Sequence, residues 1–513
     1  MRGGSRRSSH RGPKGLLGAA PAAAASRRFA RAKGLSTRAD GLLAGVAFSL
    51  CAAVALVPSS TAAADGEADR APCAVEVVDR QDGQPVPLVE LRTTNQIRWV
   101  TDNAGVIALD AAELMGQPTW FDVIGHGYEA ARDGFGYRGV RLTPQWGATL
   151  RVELNRTCIA RRLGRLTGSG LLAESVKLGR AQPPAESGVV GCDSVQNAVY
   201  RGRLFWIWGD TTLADYPLGI FNASAATTPP RPITSFELPL KIAYDYFTDD
   251  RGRPRGVAAI PGEGPTWLSA VASLPDRTGA ERLVATSVKI KPPLEPYELG
   301  LCAWNDEKRC FERLRVVWTR SDESPKPPPA PDGHAAHHTD ARGRRWVLFG
   351  NPLPVVRCPA TFEAWQDPAT WEVLKPQASL ASADGGRVRP HSGSIAWSAY
   401  RKRWVSVFME ALGKPSAFGE LWYAEADAPE GPWGPAVKIL SHENYTFYNP
   451  RVHGEWLDER TPFLLFEATY TQQFADRPVP TPRYDYNQIL YRLDFDEPRL
   501  EAPRSPAAAR EAD

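Results

Sequence analysis

The chain has 513 residues, of which 43% are hydrophobic and 23% charged, with seven cysteines and a formal net charge of +3. Such a length allows two or three domains with ample core. Ten Lys/Arg and one Asp fall in the first 64 residues, which leaves 51 basic and 57 acidic residues in the rest. The basic excess therefore belongs to the leader, and nothing in the acidic body points to a nucleic-acid partner.

Residues 1–64 run from an Arg/Lys- and Ala-rich region through the apolar stretch Leu42 to Val57 to the small-residue site Ala62-Ala63-Ala64. Basic region, apolar region and cleavage site in that order read as a secretory signal, so the protein is expected to be exported: secreted, periplasmic or at the cell surface. A membrane anchor formed by an uncleaved leader is the alternative, since the apolar stretch stands at the short limit for a span. Leu50 before Cys51 does not suit a lipid anchor. Without Cys51 six cysteines remain, an even number that suits disulfides in an exported chain. Cys302 and Cys310 flank a turn-forming A-W-N-D-E-K-R segment and are expected to face each other across a hairpin. Cys73 with Cys158 and Cys192 with Cys358 follow by elimination. None of the cysteines has zinc-ligand spacing.

From Cys73 to about Thr157 short alternating strands are expected, among them Ala74 to Val78, Val86 to Arg92, Trp120 to Ile124 and Thr149 to Leu154, with no helices between them. That spacing predicts a small β-sandwich over 65–157. The turns Gly83-Gln84-Pro85, Asp102-Asn103-Ala104-Gly105 and Gly125-His126-Gly127 resemble those of carboxypeptidase-regulatory-like, transthyretin-like sandwich modules. His126 is expected to serve its turn. A basic, Gly-rich linker over 158–186, with one short helix or hairpin, comes next.

Over 187–498 the rhythm changes to repeated units, each with an inner strand, a charged turn and a more hydrophobic second strand. Arg201 to Asp210 aligns without gaps on Arg342 to Asn351, Arg401 to Glu410 and Asp458 to Glu467, and Trp267 to Trp318 forms a fifth, looser unit. Five units of about four strands predict a five-bladed β-propeller, so the fold class is all-β: a small N-terminal sandwich followed by the propeller. Lys326 to Pro331 is an extended loop between units, and the tail 499–513 is expected to be disordered. The sequons at Asn155, Asn222 and Asn444 matter only in a host that glycosylates.

The aligned last positions, Asp210, Asn351, Glu410 and Glu467, are expected to share one face near the central funnel. Inner strands add Asp193 and Asn197, then His334, His337, His338 and Asp340, then His391 and Ser392, and lastly Tyr448 and Asn449. Asp193 has no acidic counterpart in the other aligned units. Asp210 directly follows the core strand Leu204 to Trp208, a place that ionised carboxylates avoid unless paired, hydrogen-bonded or used.

Gly191-Cys192-Asp193-Ser194 followed by Trp208-Gly209-Asp210-Thr211-Thr212, with Leu421-Trp422-Tyr423-Ala424, Gly431-Pro432-Trp433-Gly434 and Tyr448-Asn449-Pro450-Arg451, resembles the five-bladed propeller glycosidases: arabinanases, xylosidases and invertase-like enzymes. It is most similar to a branch whose Gly-x-Asp and Gly-Asp-Thr motifs carry two catalytic aspartates acting on arabinan-type furanosides. The resemblance implies Asp193 and Asp210 as catalytic residues, with Glu410 and Glu467 as alternative acids from later blades. It implies His338, His391, Trp267, Tyr448, Asn449 and Asn351 as sugar contacts, and a glycan substrate. Trp206, Trp208 and Trp397 could stack on sugar, although blade tryptophans are more often core.

No cofactor or protein metal site is expected. An axial calcium ion, found in some relatives, would need oxygen ligands, and no dense Asp cluster marks one. The sequence gives no membrane contact beyond the leader and does not set the oligomeric state. Cys192 stands where relatives have a small or polar residue, and the second unit lacks an acid at the aligned position. Three readings stay open: a glycoside hydrolase with paired carboxylates, a non-catalytic carbohydrate-binding or adhesion propeller, and a purely structural propeller without activity.

Overall fold

The computed structural model describes residues 71–501, except 186, 215, 221–222, 232–237, 240–241, 259, 414–418, 443–445, 472–482 and 484. The leader with Cys51, the sequons at Asn222 and Asn444 and the tail beyond Glu501 lie outside the described residues. Leu500, in the short turn Pro498–Leu500 at the start of the expected tail, is still buried. The described chain is nearly all β, and none of its helices is long and apolar enough to cross a membrane.

Two four-stranded sheets come first. One runs Val106–Leu109, Cys73–Asp79, Thr149–Arg156, Tyr128–Glu129, and the other Arg98–Val100, Glu90–Thr93, Thr119–Ile124, Gly139–Leu142. Alternation along the strands turns Val75, Val77, Leu91, Phe121, Val123 and Leu154 into one shared apolar core.

Five four-stranded antiparallel sheets follow. Their first strands are Gln196–Tyr200, Thr266–Pro275, His334–Thr339, Pro390–Ser398 and Thr446–Val452, and each packs against the next. The last returns to the first through Arg451, whose guanidinium donates to Asn197 Oδ1 at 2.7 and 3.1 Å. Beyond their first residue the second strands Arg203–Trp208 and Arg345–Gly350 are buried on both faces, which is why they read as unbroken apolar runs; Phe463–Thr471 is buried throughout although it carries Glu467, Thr469 and Thr471.

Residues 158–186, expected as a linker, do more than connect. Arg161–Arg165 pairs antiparallel with Asn487–Asp494 and is the outermost strand of the last sheet. Its free side is met by Asn103 of the N-terminal region, whose side chain donates to Arg165 O (2.9 Å) and accepts from Arg165 N (3.0 Å), so the edge is covered. His126 is likewise more than a turn residue. It is buried against the last sheet and hydrogen-bonded to Tyr491 Oη at 2.8 Å.

The expected disulfides are not formed: all six described cysteines are free. In the hairpin Cys310 lies opposite Asn305, and Cys302 opposite Arg313, so the register separates the two thiols. Cys302 instead turns into the core and its Sγ approaches Ala285 O. Cys192 and Cys358 sit in different apolar clusters, and Cys73 is sealed inside the N-terminal core.

Candidate active site

Asp193 follows the strand Val189–Cys192, and Asp210 follows Arg203–Trp208. Two backbone hydrogen bonds hold the segments together: Asp193 N donates to Asp210 O (3.2 Å) and Gly209 N to Asp193 O (2.8 Å). The glycines beside the aspartates are steric requirements. A Cβ on Gly209 would stand 2.2 Å from Asp193 Oδ1, and one on Gly191 would stand 2.0 Å from Tyr486 O. Thr211 fixes the next turn through Ser224 Oγ at 2.7 Å.

Asp193 is 9% exposed. Its Oδ2 accepts from Tyr448 Oη in a short hydrogen bond and from Tyr486 Oη at 2.8 Å. Burial raises its pKa above the usual carboxylate value, while the two phenols, the Asp210 amide and Ser194 draw it back. Asp210 has fewer donors. Its Oδ1 is buried without a hydrogen-bond partner among the described residues, and burial first, then the Asp193 charge, raise its pKa to about 7 against a smaller opposing effect of the Trp267 side chain. No Lys or Arg among the described residues pairs with either carboxylate. Two buried acids without a cation favour a state with one proton between them.

A polar belt runs beside the pair. Asn351 Oδ1 accepts from Gly393 N and Ser392 Oγ (both 2.8 Å), Ser392 Oγ also touches Asn449 Oδ1, and Asn449 Nδ2 donates to Ser194 Oγ at 2.5 Å. Asn351, Asn449, Tyr448 and Trp267 are thus gathered around the aspartates, with His391 next to Ser392. Glu410 ends its strand and accepts from Trp422 Nε1 at 3.1 Å.

Other expected residues lie elsewhere. His338 pairs with Trp346 at the turn end of its strand, whereas His334 at the other end pairs with Gly350 beside Asn351. Trp397 pairs with Trp404 at a turn end too, and Trp206 and Trp208 are stacked core residues. Glu467 is not at a strand end. The last unit has a longer turn, so its second strand starts at Phe463 and Glu467 falls mid-strand opposite Arg451, fully buried. There it accepts from or donates to His453 Nε2 at 2.9 Å, while His453 Nδ1 meets Glu455 at 2.8 Å. Among the described residues no three His, Cys, Asp or Glu side chains converge as metal ligands.

Tyr486 was not expected. It lies outside the aligned units, and its only sequence signal is an aromatic residue just before a core strand. The structure also shows an equivalence that turn-based alignment hides. Each inner strand has one residue of positive φ near the point where its regular pairing starts: Ser194 and Gly333 just before Gln196–Tyr200 and His334–Thr339, and Ala270, Gly393 and Asn449 at register breaks within Thr266–Pro275, Pro390–Ser398 and Thr446–Val452. The residues preceding them are Asp193, Ser269, Asp332, Ser392 and Tyr448, so Asp193 does have an acidic counterpart, Asp332.

No protein-family profile matches the chain, and no curated protein matches it in sequence. Solved structures similar to it include an exo-1,5-α-L-arabinanase from a bovine ruminal metagenomic library (12% identity, TM-score 0.35, 60% of this chain and 95% of that one). A GH43_1 enzyme from Xanthomonas citri (8%, 0.33, 59% and 88%) and an exo-β-1,3-galactanase from Phanerochaete chrysosporium bound to galactose (9%, 0.36, 60% and 61%) are two others. At this level of likeness the chemistry of the site has to be read from its own side chains.

Proposed function

We propose that the protein is an exported glycoside hydrolase whose five four-stranded sheets are the blades of a β-propeller, carried behind an N-terminal β-sandwich of the transthyretin-like kind. Its substrate is a polysaccharide or oligosaccharide, with arabinofuranosides the first to try. The observation that supports this reading is the Asp193–Asp210 pair: two buried carboxylates, no neutralising cation in contact among the described residues, and unequal donor sets.

Glycoside hydrolysis needs one carboxyl that gives a proton to the leaving oxygen and one carboxylate that serves as base toward water or as nucleophile. Asp193, with two phenols on one oxygen, is the better stabilised anion. Asp210, raised to about 7, keeps a large protonated fraction at neutral pH and is the donor. Over a full cycle the glycosidic bond takes up one water and both carboxyls return to their starting states. The chemistry requires no cofactor.

The test is product release from arabinan, xylan and galactan by the wild type and by Asp193→Asn and Asp210→Asn. Loss of about a thousandfold or more in each variant, with folding intact, is expected. Full activity in either variant, or glycan binding by the wild type without any product, would replace this reading by that of a carbohydrate-binding propeller.

A further inference from the structure

The recurring left-handed residues give a frame for comparing the five inner strands. A non-glycine residue rarely adopts a positive φ, yet Ser194, Ala270 and Asn449 do so where the regular pairing of their strands starts, and Gly333 and Gly393 match them there, which marks equivalent positions. Hydrogen bonding supports the equivalence. Ser269 Oγ accepts from Gly333 N at 2.8 Å, and Ser392 contacts Asn449; each links the residue before one left-handed position to the left-handed residue of the next sheet. In this frame Asp193, Ser269, Asp332, Ser392 and Tyr448 form one tier at the end of the strands where Asp210 and Asn351 also lie.

Within the tier the two aspartates have opposite surroundings. Asp193 is buried under two tyrosines, whereas Asp332 is exposed and, among the described residues, its carboxylate has one hydrogen bond, from Ser269 Oγ at 2.7 Å. Ser269 is two residues after Trp267 on the same strand, so the two side chains share a face, and Trp267 is the residue that reaches Asp210. A partly exposed indole, a hydroxyl and an exposed carboxylate therefore follow one another outward from Asp210.

Carboxylates accept two hydrogen bonds side by side, which matches adjacent hydroxyls on a sugar ring, and an indole face offers the apolar partner for the ring's C–H side. We propose that Asp332 is a substrate-binding residue, which with Ser269 and Trp267 holds a vicinal diol of the sugar next to the scissile bond. This rests on the hydrolase reading above. Asp332 anchors the sugar and does not exchange protons with it.

Direct binding separates this inference from that reading. In an Asp193→Asn background, arabinotetraose, xylotetraose and galactotetraose are titrated calorimetrically into proteins with Asp332 intact, Asp332→Ala, Asp332→Glu and Ser269→Ala. The oligosaccharide that binds is expected to lose about tenfold or more in affinity with Asp332→Ala and less with Ser269→Ala. In the catalytically intact chain, Asp332→Ala should raise KM with kcat and the pH profile nearly unchanged, the mark of uniform binding. Unaltered affinity in Asp332→Ala overturns the inference and leaves the hydrolase reading standing. A displaced pH profile with unchanged KM also overturns it, because Asp332 would then act on the ionisation of the catalytic pair. Absence of binding of all three sugars to the Asp332-intact protein counts against both.

Discussion

The seam between the first and last sheets contains two buried acidic clusters, and they are built on opposite terms. Toward one end, Glu467 and Glu455 flank His453, Arg451 bonds Asn197, and Asn197 donates to Glu455 at 2.7 Å. Trp456 stacks on the imidazole at 4.0 Å. The charges compensate one another: Glu455 is held down at about 2, chiefly by Arg451 and His453 against burial, and its carboxylate with that of Glu467 raises His453 despite burial. Toward the other end, Asp193 and Asp210 have each other and neutral donors. A buried acid matched by cations locks two sheets together, whereas one left unmatched keeps a proton available. The difference between structural and chemical burial is therefore visible in the partners rather than in the depth.

The largest expected effect comes from breaking the compensated cluster. Glu467→Ala should cost about 3–5 kcal/mol in urea unfolding at neutral pH, because it takes one of two carboxylates from the buried His453 and leaves Nε2 without that partner, while Glu467→Gln should cost less. Next comes the unmatched pair, where the sign reverses. Asp210 has a raised folded pKa, so its contribution to stability is present below its ordinary value near 3.8 and is lost as pH rises through about 7. Asp210→Asn should therefore stabilise the fold by on the order of a few kcal/mol at about pH 8, with the gain vanishing by about pH 4. His453 and Glu455 run differently. The raised His453 supports the fold below its ordinary value and is lost as pH climbs through the folded one, and the depressed Glu455 gives support above its ordinary value that is lost as pH falls toward 2. Wild-type stability against pH should thus fall on the alkaline side, and Asp210→Asn should flatten that fall.

A smaller effect sharpens the assignment of roles. Tyr486→Phe removes a donor from the Asp193 carboxylate, so the acidic limb of the rate profile should move up by about one pH unit, the worth of a hydrogen bond to a charged group. An unmoved limb would detach Asp193 from that limb. The smallest effect is expected at His338, which lies at the turn end of its strand. His338→Ala should leave glycan cleavage within about twofold, and a large drop in kcat would mean that this end of the strand communicates with the aspartates.

Asp193 and Asp210 could be picked out from sequence because each carboxylate adjoins a core strand, a local signal that needs no neighbours. The sheets were legible for the same reason, since alternating and unbroken apolar runs are local. What failed was register. Cys302 and Cys310 looked symmetric about a turn, but the strand pairing sets Cys310 against Asn305. Glu467 aligned with Asp210 only if all turns were equal, and the last turn is longer. Asp332 was missed for the same cause. Gly333 and Gly393 hint at left-handed backbone, yet Ser194, Ala270 and Asn449 adopt it without glycine, so the tier that relates Asp332 to Asp193 has no compositional mark. Tyr486 acts across a seam between distant segments, and only the folded chain brings it to Asp193.

The strand Arg161–Arg165 completes the last sheet from a segment that precedes the first. During synthesis this segment leaves the ribosome before every other strand of the five sheets, and its partner Asn487–Asp494 leaves after all the others. Joining them closes a loop that holds nearly the whole ring, a step with a high entropic barrier that is expected to come late. Tyr448 lies in that same last sheet and Tyr486 immediately precedes its strand Asn487–Asp494, so the tyrosines are expected to reach Asp193 only when the clasp shuts. A chain cut short before Asn487 would keep four sheets, both aspartates and both tyrosines but lack the strand that brings the phenols to Asp193, and activity would mark completion of the fold.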